Sequence, residues 1–299
     1  MELRIKLKFQ RFARHFCDMS IEQLFEYFAL FGGIEESISL DCTLSVEENI
    51  QRNILENFAT LDALIVPSYI KKAPFSNFLI AASYGDAKID NILRRSRIRE
   101  SIGKEIITQL LELDTISVVE SREAPLKTHP KQKLKKALKS YKIQPKIRFK
   151  EPFYHFWFGF VEPFRSEILH GDFERFFEYF AKHSIALTSL VYEELSNAWI
   201  AQEFDALSSG SYWDKNGEFD ILAFSQENKI ILGECKYKNK KICKNEWSKL
   251  QYKAMVSDIK PDIWVFFSKN GFSNELTKNP IENLKLYDLS AFKEFIDRN

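Results

Sequence analysis

The chain has 299 residues, 45% of them hydrophobic, so it can bury a substantial core and is long enough for two domains and a smaller appendage. Its formal net charge of +1 excludes a uniform polycation, so any contact with nucleic acid must come from local basic patches. No segment has the apolar length of a signal peptide or a membrane span, and a cytoplasmic protein is expected. Neither a zinc site nor a disulfide framework is expected, because no CxxC pair occurs among Cys17, Cys42, Cys235 and Cys243.

Residues 1–72 are predicted to form a helical segment. Ser20 followed by Gln23 indicates a capped helix start, and Gly32 ends that helix. A second helix is predicted to begin near Ser45. No GxxxxGK[ST] phosphate loop occurs anywhere in the sequence, so ATP is not an expected ligand.

Residues 73–152 are predicted to form a winged helix-turn-helix domain. The expected elements are three short helices and a first wing strand, over 74–85, 89–97, 101–113 and 115–120. The third helix of such a module can enter the major groove of DNA. Because this one exposes Glu105 and Glu112 and offers only Lys104 nearby, protein binding stays open as the alternative.

Residues 125–150 are rich in lysine and arginine and contain no acid. Such a run is either a solvated loop or a segment that follows a phosphate backbone, and we favour the second interpretation. The lysines predicted to contact nucleic acid here are Lys131, Lys133, Lys135, Lys136 and Lys139.

The stretch 212–244 carries the chemistry. Two apolar runs, Glu218–Phe224 and Lys229–Lys236, flank a four-residue polar turn and are predicted to form a β-hairpin. If Asp220 lies near Glu234, two carboxylates and the ammonium of Lys236 converge at one end of that hairpin. Such oxygen ligands suit Mg²⁺, which keeps several waters and accepts phosphate as a further ligand.

A second group of lysines follows this hairpin. These side chains are expected to neutralise the phosphate backbone of a substrate close to the predicted metal site. They are Lys238, Lys240 and Lys241.

Asp220, a short hairpin and then Glu234-x-Lys236 resemble the D…ExK core of the PD-(D/E)xK nuclease superfamily. The fuller string GEFDILAF…IILGECKYK is similar to the nuclease-like domain at the C-terminal end of archaeal-type AAA+ ATPases. Upstream, EYFALFGGIEESI resembles the helical lid of those ATPases, although their nucleotide-binding core is missing. KIRFKEPFYHFWFGF resembles their linker, with Glu151 where an aspartate is expected. The resemblance covers roughly residues 20–299.

This resemblance implies a multi-domain α/β protein. Its parts are a lid-like segment (1–72), a winged helix-turn-helix domain (73–152) and a restriction-endonuclease-like PD-(D/E)xK domain (153–299). Residues 20–72 are then a helical remnant or a docking surface for a protein partner.

The expected activity is metal-dependent hydrolysis of DNA. Asp220 and Glu234 are expected to hold Mg²⁺ or Mn²⁺, and Lys236 to position water and stabilise charge on the phosphate. By position within VYEELSNAW, Glu193 resembles the third carboxylate of the superfamily, with Glu194 as the alternative. The competing hypothesis is a non-catalytic protein with a vestigial nuclease fold, which binds DNA or a protein partner. A third is an accessory subunit that docks to a separate ATPase through residues 20–72.

Overall fold

The computed structural model describes residues 2–127, 129, 131–134, 136–278 and 281–297. It is a mixed α/β protein, as predicted. Over the described residues, none of the helices combines the length and apolar character that a membrane crossing requires.

The described chain divides into two compact units, which we call the helical unit and the sheet unit. The helical unit comprises Arg11–Glu120 and Gln144–Thr188. The sheet unit comprises Met1–Gln10, Ser121–Ile143 and Ser189–Asn299. This division differs from the predicted segments, since the lid-like and winged-helix segments share one unit and the lysine-rich run belongs mainly to the other.

The helical unit is built from short helices and one small antiparallel sheet. Two of its helices start with capping boxes, at Ser20 with Gln23, as the sequence indicates, and at Ser45 with Glu48, where the sequence predicts only the start of a helix. In chain order, starting with a first helix shared with the sheet unit, the elements are α1 (Glu2–His15), α2 (Ile21–Phe31), α3 (Val46–Ile50), α4 (Phe58–Leu64), α5 (Phe75–Ala82), α6 (Ile89–Ser96), α7 (Glu100–Glu112), β1 (Ile116–Val119), β2 (Lys146–Phe149), α8 (Pro152–Phe156), α9 (Arg165–Leu169) and α10 (Glu174–His183).

Three helices followed by a hairpin occur where the winged-helix prediction requires them. Helices α5, α6 and α7 precede β1, which pairs antiparallel with β2 from Ile116 opposite Phe149 to Val119 opposite Lys146. The returning strand β2 starts at Lys146, whereas Tyr141 belongs to the sheet unit, where its hydroxyl donates to Glu123. The winged-helix assignment itself stays a prediction.

The aromatic segment after β2 forms the core of the helical unit. Phe153, Phe156 and Trp157 are fully buried, and a π-helical turn continues α8 over Trp157–Val161. The ring of Trp157 stacks on Phe58, with 5.3 Å between centroids. The predicted domain start at residue 153 therefore falls inside one compact unit, since these rings pack against the preceding helices.

The sheet unit holds a five-stranded mixed sheet within the described residues, in the order β3-β6-β7-β8-β9. Strands β6 and β7 pair antiparallel, whereas β7, β8 and β9 run parallel. The elements are α11 (Ile185–Glu203), which begins in the helical unit, then β3 (Ala206–Ser208), β4 (Tyr212–Trp213), β5 (Glu218–Phe219), β6 (Ile221–Ser225), β7 (Ile230–Lys236), α12 (Lys244–Val256), β8 (Ile263–Ser268), α13 (Asn274–Thr277), β9 (Leu284–Asp288) and α14 (Ala291–Asp297).

Helix α12 covers one face of this sheet. Its Trp247 and Leu250 pack in one buried cluster with Leu222, Leu232 and Phe266 of the strands. This burial explains why β7 and β8 read as continuous apolar runs, as strands covered on both faces do. The same packing fixes α12 beside the end of β7, where the charged residues of the predicted site lie.

Candidate active site

Asp220 interrupts the predicted strand 218–224. Glu218–Phe219 pairs with β4 in a separate two-stranded sheet, whereas Ile221 begins the ladder with β7. The carboxylate Oδ2 of Asp220 accepts the backbone N–H of Cys235 at 2.8 Å. The side chain thus takes the donor that a continuing strand would have paired, and the strand breaks for that reason.

Glu234 and Lys236 lie near the end of β7, two residues apart and therefore on the same face. Lys236 Nζ is 2.5 Å from Oε2 of Glu234 and 3.8 Å from Oδ2 of Asp220. Gly233 precedes them because a Cβ there would lie 2.2 Å from a methyl carbon of Val265 on β8. The structure therefore brings together Asp220, Glu234 and Lys236, as the hairpin hypothesis requires; their catalytic roles stay predictions.

Lys253 of α12 completes the cluster, and it was not predicted from the sequence. Its Nζ donates to Oε1 of Glu234 and to the backbone carbonyl of Glu218. It also lies 4.7 Å from the centroid of the Phe219 ring. The signal that could have found it was its place on the helix, three residues after buried Leu250 and beside buried Ala254, at the edge of the apolar face.

The electrostatics of the cluster set Asp220 apart. Burial, together with the nearby charge of Glu234, raises the pKa of Asp220 to about 7. Burial opposes the charge on Lys236, yet the two carboxylates beside it raise its pKa above the ordinary lysine value. Near neutral pH, Asp220 in the metal-free site is therefore partly protonated, while Lys236 stays charged.

A cleft of about 400 Å³ opens beside the cluster. Glu234, Lys236 and Lys253 line it, and the exposed Tyr252 and Val256 of α12 border it. The carboxylate of Glu234 is therefore both mostly buried and reachable from the cleft, which is the situation expected for a group that handles a ligand.

Helix α11 reaches the site through Asn197. The amide nitrogen of Asn197 donates to the carbonyl of Asp220 at 2.8 Å and to the carbonyl of Glu193 at 2.9 Å. Its oxygen accepts from Ser209 at 2.9 Å. Asn197 thus ties the bend at Asp220 to the helix, a role that was not predicted from the sequence because it depends on tertiary packing.

The predicted third carboxylate, Glu193 with Glu194 as the alternative, stays a prediction. Glu193 and Glu194 lie half-buried on α11, and the charge of Glu193 acts on the thiol of Cys235. Among the described residues, no group of three or more His, Cys, Asp and Glu side chains is arranged to hold a metal ion.

A divalent cation fits the two remaining carboxylates by the chemistry of the donor set. Mg²⁺ commonly uses one or two protein carboxylates together with waters and substrate phosphates. Asp220 and Glu234 supply that number, and both contact the single ammonium of Lys236. A cation bound between them would replace the positive charge that Lys236 provides there.

Those predicted DNA-contacting lysines that the structure describes lie in the sheet unit and are exposed. Lys238, Lys240 and Lys241 directly follow β7. The others occupy the lysine-rich run, where Lys135 lies outside the described residues; the described ones are Lys131, Lys133, Lys136 and Lys139.

Contacts on both sides of the described lysines hold residues 122–141, which we call the lysine loop, to the sheet unit. The guanidinium of Arg122 donates to the carbonyls of Gly210 at 2.6 Å and Leu222 at 2.8 Å. At the other end, the hydroxyl of Tyr141 donates to Glu123 at 2.6 Å. The lysine loop thus belongs to the same unit as the carboxylates, which its sequence did not indicate.

Comparison with known proteins places a DUF234 domain at residues 157–250, about a third of the chain. That family is described as archaea bacterial proteins of unknown function, and it is associated with AAA-like ATPase proteins. The match includes Asp220, Glu234 and Lys236 and ends just before Lys253. No curated protein and no solved structure matches the chain significantly.

Proposed function

We propose that the protein is a metal-dependent nuclease that hydrolyses phosphodiester bonds in DNA, with a sheet unit of the PD-(D/E)xK type. The observation that carries this proposal is the contact of Lys236 with both Asp220 and Glu234 at the edge of an open cleft. Two carboxylates and an ammonium at one point are the groups that metal-assisted phosphodiester hydrolysis needs.

Asp220 and Glu234 would hold Mg²⁺ or Mn²⁺, which supplies Lewis-acid activation of water and neutralises charge on the phosphate. Lys236 stays protonated and donates a hydrogen bond to an oxygen of the scissile phosphate as negative charge develops. In the reaction the water oxygen forms a bond to phosphorus, and one P–O bond to deoxyribose breaks. The water releases its proton to solvent, and the departing oxygen takes a proton from solvent.

The lysine loop and the lysines after β7 give the sheet unit its contact with the DNA backbone. Their support is exposure, a run free of acids, and attachment to the unit that contains the carboxylates. Binding through phosphate contacts weakens steeply with salt and is independent of sequence. The helix-turn-helix elements of the helical unit are proposed as a winged-helix module for DNA or for a protein partner.

A cleavage assay tests the proposal. Wild type and Asp220→Ala are incubated with plasmid, linear duplex, single-stranded and branched DNA in Mg²⁺, Mn²⁺ or EDTA. Cleavage is expected with either metal, with none in EDTA and none in the variant. Equal cleavage by the two proteins would reject the assignment of Asp220.

The second candidate is a DNA-binding or partner-docking protein with a vestigial nuclease site. The observation that favours it is that two lysines neutralise the two carboxylates, while no third metal-ligating side chain joins them among the described residues. This candidate predicts that the affinity for DNA is the same with and without EDTA and is unchanged in Lys236→Met. The nuclease proposal predicts that the same variant loses cleavage.

A further inference from the structure

Lys253 is held from three directions. Its ammonium donates to the carboxylate of Glu234 and to the backbone carbonyl of Glu218, and it lies over the ring of Phe219. A lysine side chain has large conformational freedom, so three simultaneous contacts fix its charge at one point.

Lys253 and Lys236 each contact a different carboxylate oxygen of Glu234. Lys253 contacts Oε1, and Lys236 contacts Oε2 while lying 3.8 Å from Asp220. Lys236 therefore lies between Glu234 and Asp220, whereas Lys253 contacts Glu234 from helix α12. The first is placed to meet substrate and cation, and the second to orient the carboxylate.

We propose that Lys253 is a positioning residue that orients the Glu234 carboxylate for catalysis and, as a fixed positive charge, lowers the affinity of the site for a divalent cation. This inference rests on the proposed function and deepens it. Removal of Lys253 then changes two properties in opposite directions. Cation binding becomes tighter because a repelling charge is gone, and cleavage becomes slower because Glu234 is no longer held.

The test uses Lys253→Met, which keeps most of the apolar stem, and Lys253→Arg, which keeps the charge. The control is Lys229→Met, because Lys229 also pairs with a glutamate, Glu227 at 2.6 Å, but does so at the turn end of the same hairpin. Mn²⁺ affinity is measured by calorimetry without DNA, and cleavage is measured under single-turnover conditions.

For Lys253→Met we expect Mn²⁺ to bind about tenfold more tightly, as loss of one nearby charge implies. We expect its cleavage rate to fall by about 10- to 100-fold through misorientation. Lys253→Arg should lie close to wild type in both measurements, and Lys229→Met should equal wild type. Weaker or unchanged Mn²⁺ binding, or an unchanged cleavage rate, in Lys253→Met would overturn the inference.

Failure of the proposed function has a different signature. If wild type neither binds Mn²⁺ nor cleaves DNA, the nuclease proposal falls, and the cation part of this inference falls with it. The Lys253–Glu234 contact is then judged by metal-free urea unfolding of Lys253→Met, Glu234→Gln and the double variant. If the double variant loses clearly less stability than the sum of the two single-variant losses, the contact is supported. Purely additive losses reject it.

Discussion

The two units each contain a cluster of two acids and two bases that is at least partly buried, yet the clusters differ in electrostatics. In the sheet unit the members are Asp220, Glu234, Lys236 and Lys253. In the helical unit they are Asp62, Lys71, Glu162 and Arg165. Equal composition therefore does not decide what such a cluster does.

The helical-unit cluster is a closed network. Arg165 donates to both oxygens of Glu162, at 2.9 and 2.8 Å, and to Asp62 at 2.5 Å. Trp157 donates to Glu162 at 3.1 Å, and Lys71 donates to Asp62 at 2.6 Å. Burial raises the pKa of Asp62, but the hydrogen bonds from Lys71 and Arg165 more than offset this and lower it overall. Such a network has the character of a structural element.

The sheet-unit cluster is open and less balanced. Asp220 receives one backbone N–H bond, and its nearest ammonium, that of Lys236, lies 3.8 Å away. Its pKa is consequently raised to about 7, first by burial and then by Glu234. A buried carboxylate with incomplete compensation is a candidate functional group, and we propose that this one receives a cationic ligand, whereas full compensation is typical of a support for the fold.

The largest expected effect lies in the structural network. Arg165→Met leaves two carboxylates without their shared guanidinium and should lower the free energy of unfolding by about 3–5 kcal/mol. Urea unfolding measures this loss. Arg175→Met is the matched control, since its exposed pair with Glu167 should contribute less than about 1 kcal/mol. Equal losses in the two variants would contradict the account.

At the site, Lys236→Met should act on rate rather than on stability. Loss of a donor to the developing phosphate charge should slow cleavage by about 10²–10³-fold. Single-turnover assays measure this, with Lys229→Met as a control that should cleave like wild type. If Lys236→Met instead unfolds the protein, Lys236 has a structural role like that of the helical-unit cluster.

The pH dependence of stability distinguishes the clusters through Asp220→Asn. The folded-state pKa of Asp220, about 7, exceeds its ordinary value of 3.8. As pH rises from about 4 to about 7, the unfolded chain releases this proton before the folded chain does, so Asp220 destabilises the metal-free fold increasingly.

Asp220→Asn keeps an acceptor for the N–H of Cys235 but cannot ionise. In EDTA, its stability relative to wild type should therefore rise by roughly 3 kcal/mol between pH 4 and 7. Urea unfolding across this pH range measures the difference. A relative stability that stays constant with pH would mean that the pKa of Asp220 is not raised, and one that falls with rising pH would show that Asp220 is compensated as Asp62 is.

The exposed lysines of the lysine loop belong to neither cluster and should affect DNA binding without affecting stability. Replacing four lysines of the loop by alanine should leave stability within about 0.5 kcal/mol of wild type. The dependence of DNA affinity on salt should become shallower, by about 0.9 for each phosphate that the variant no longer neutralises. Fluorescence anisotropy at several salt concentrations measures this for Lys131, Lys133, Lys136 and Lys139 changed together. An unchanged slope would remove the loop from the DNA-binding surface.

The helices and strands that could be predicted from the sequence are those specified by residues close together in the chain. The caps at Ser20 and Ser45 and the apolar strands β7 and β8 were predictable because capping and burial depend on near neighbours. The proximity of Asp220 to Glu234 followed from a hairpin with a short turn. The break at Asp220 did not, because it depends on a bond to Cys235 across the sheet.

The rest of the site comes from helices distant along the chain. Lys253 and Asn197 reach the carboxylates only because α12 and α11 pack against the strands, and no local pattern sets that contact. The two compact units divide the chain differently from the predicted segments for a similar reason. The aromatic run at Trp157 is apolar in any fold, and its packing on Phe58 decides which unit it belongs to.

We propose that Asp220 and Glu234 form a divalent-cation site, and calorimetric titration with Mn²⁺ decides whether they do. Wild type should bind Mn²⁺ at this site, Mg²⁺ should compete, and Asp220→Asn should lose the binding while remaining folded. Equal Mn²⁺ binding by wild type and Asp220→Asn, or none by either protein, would contradict the account.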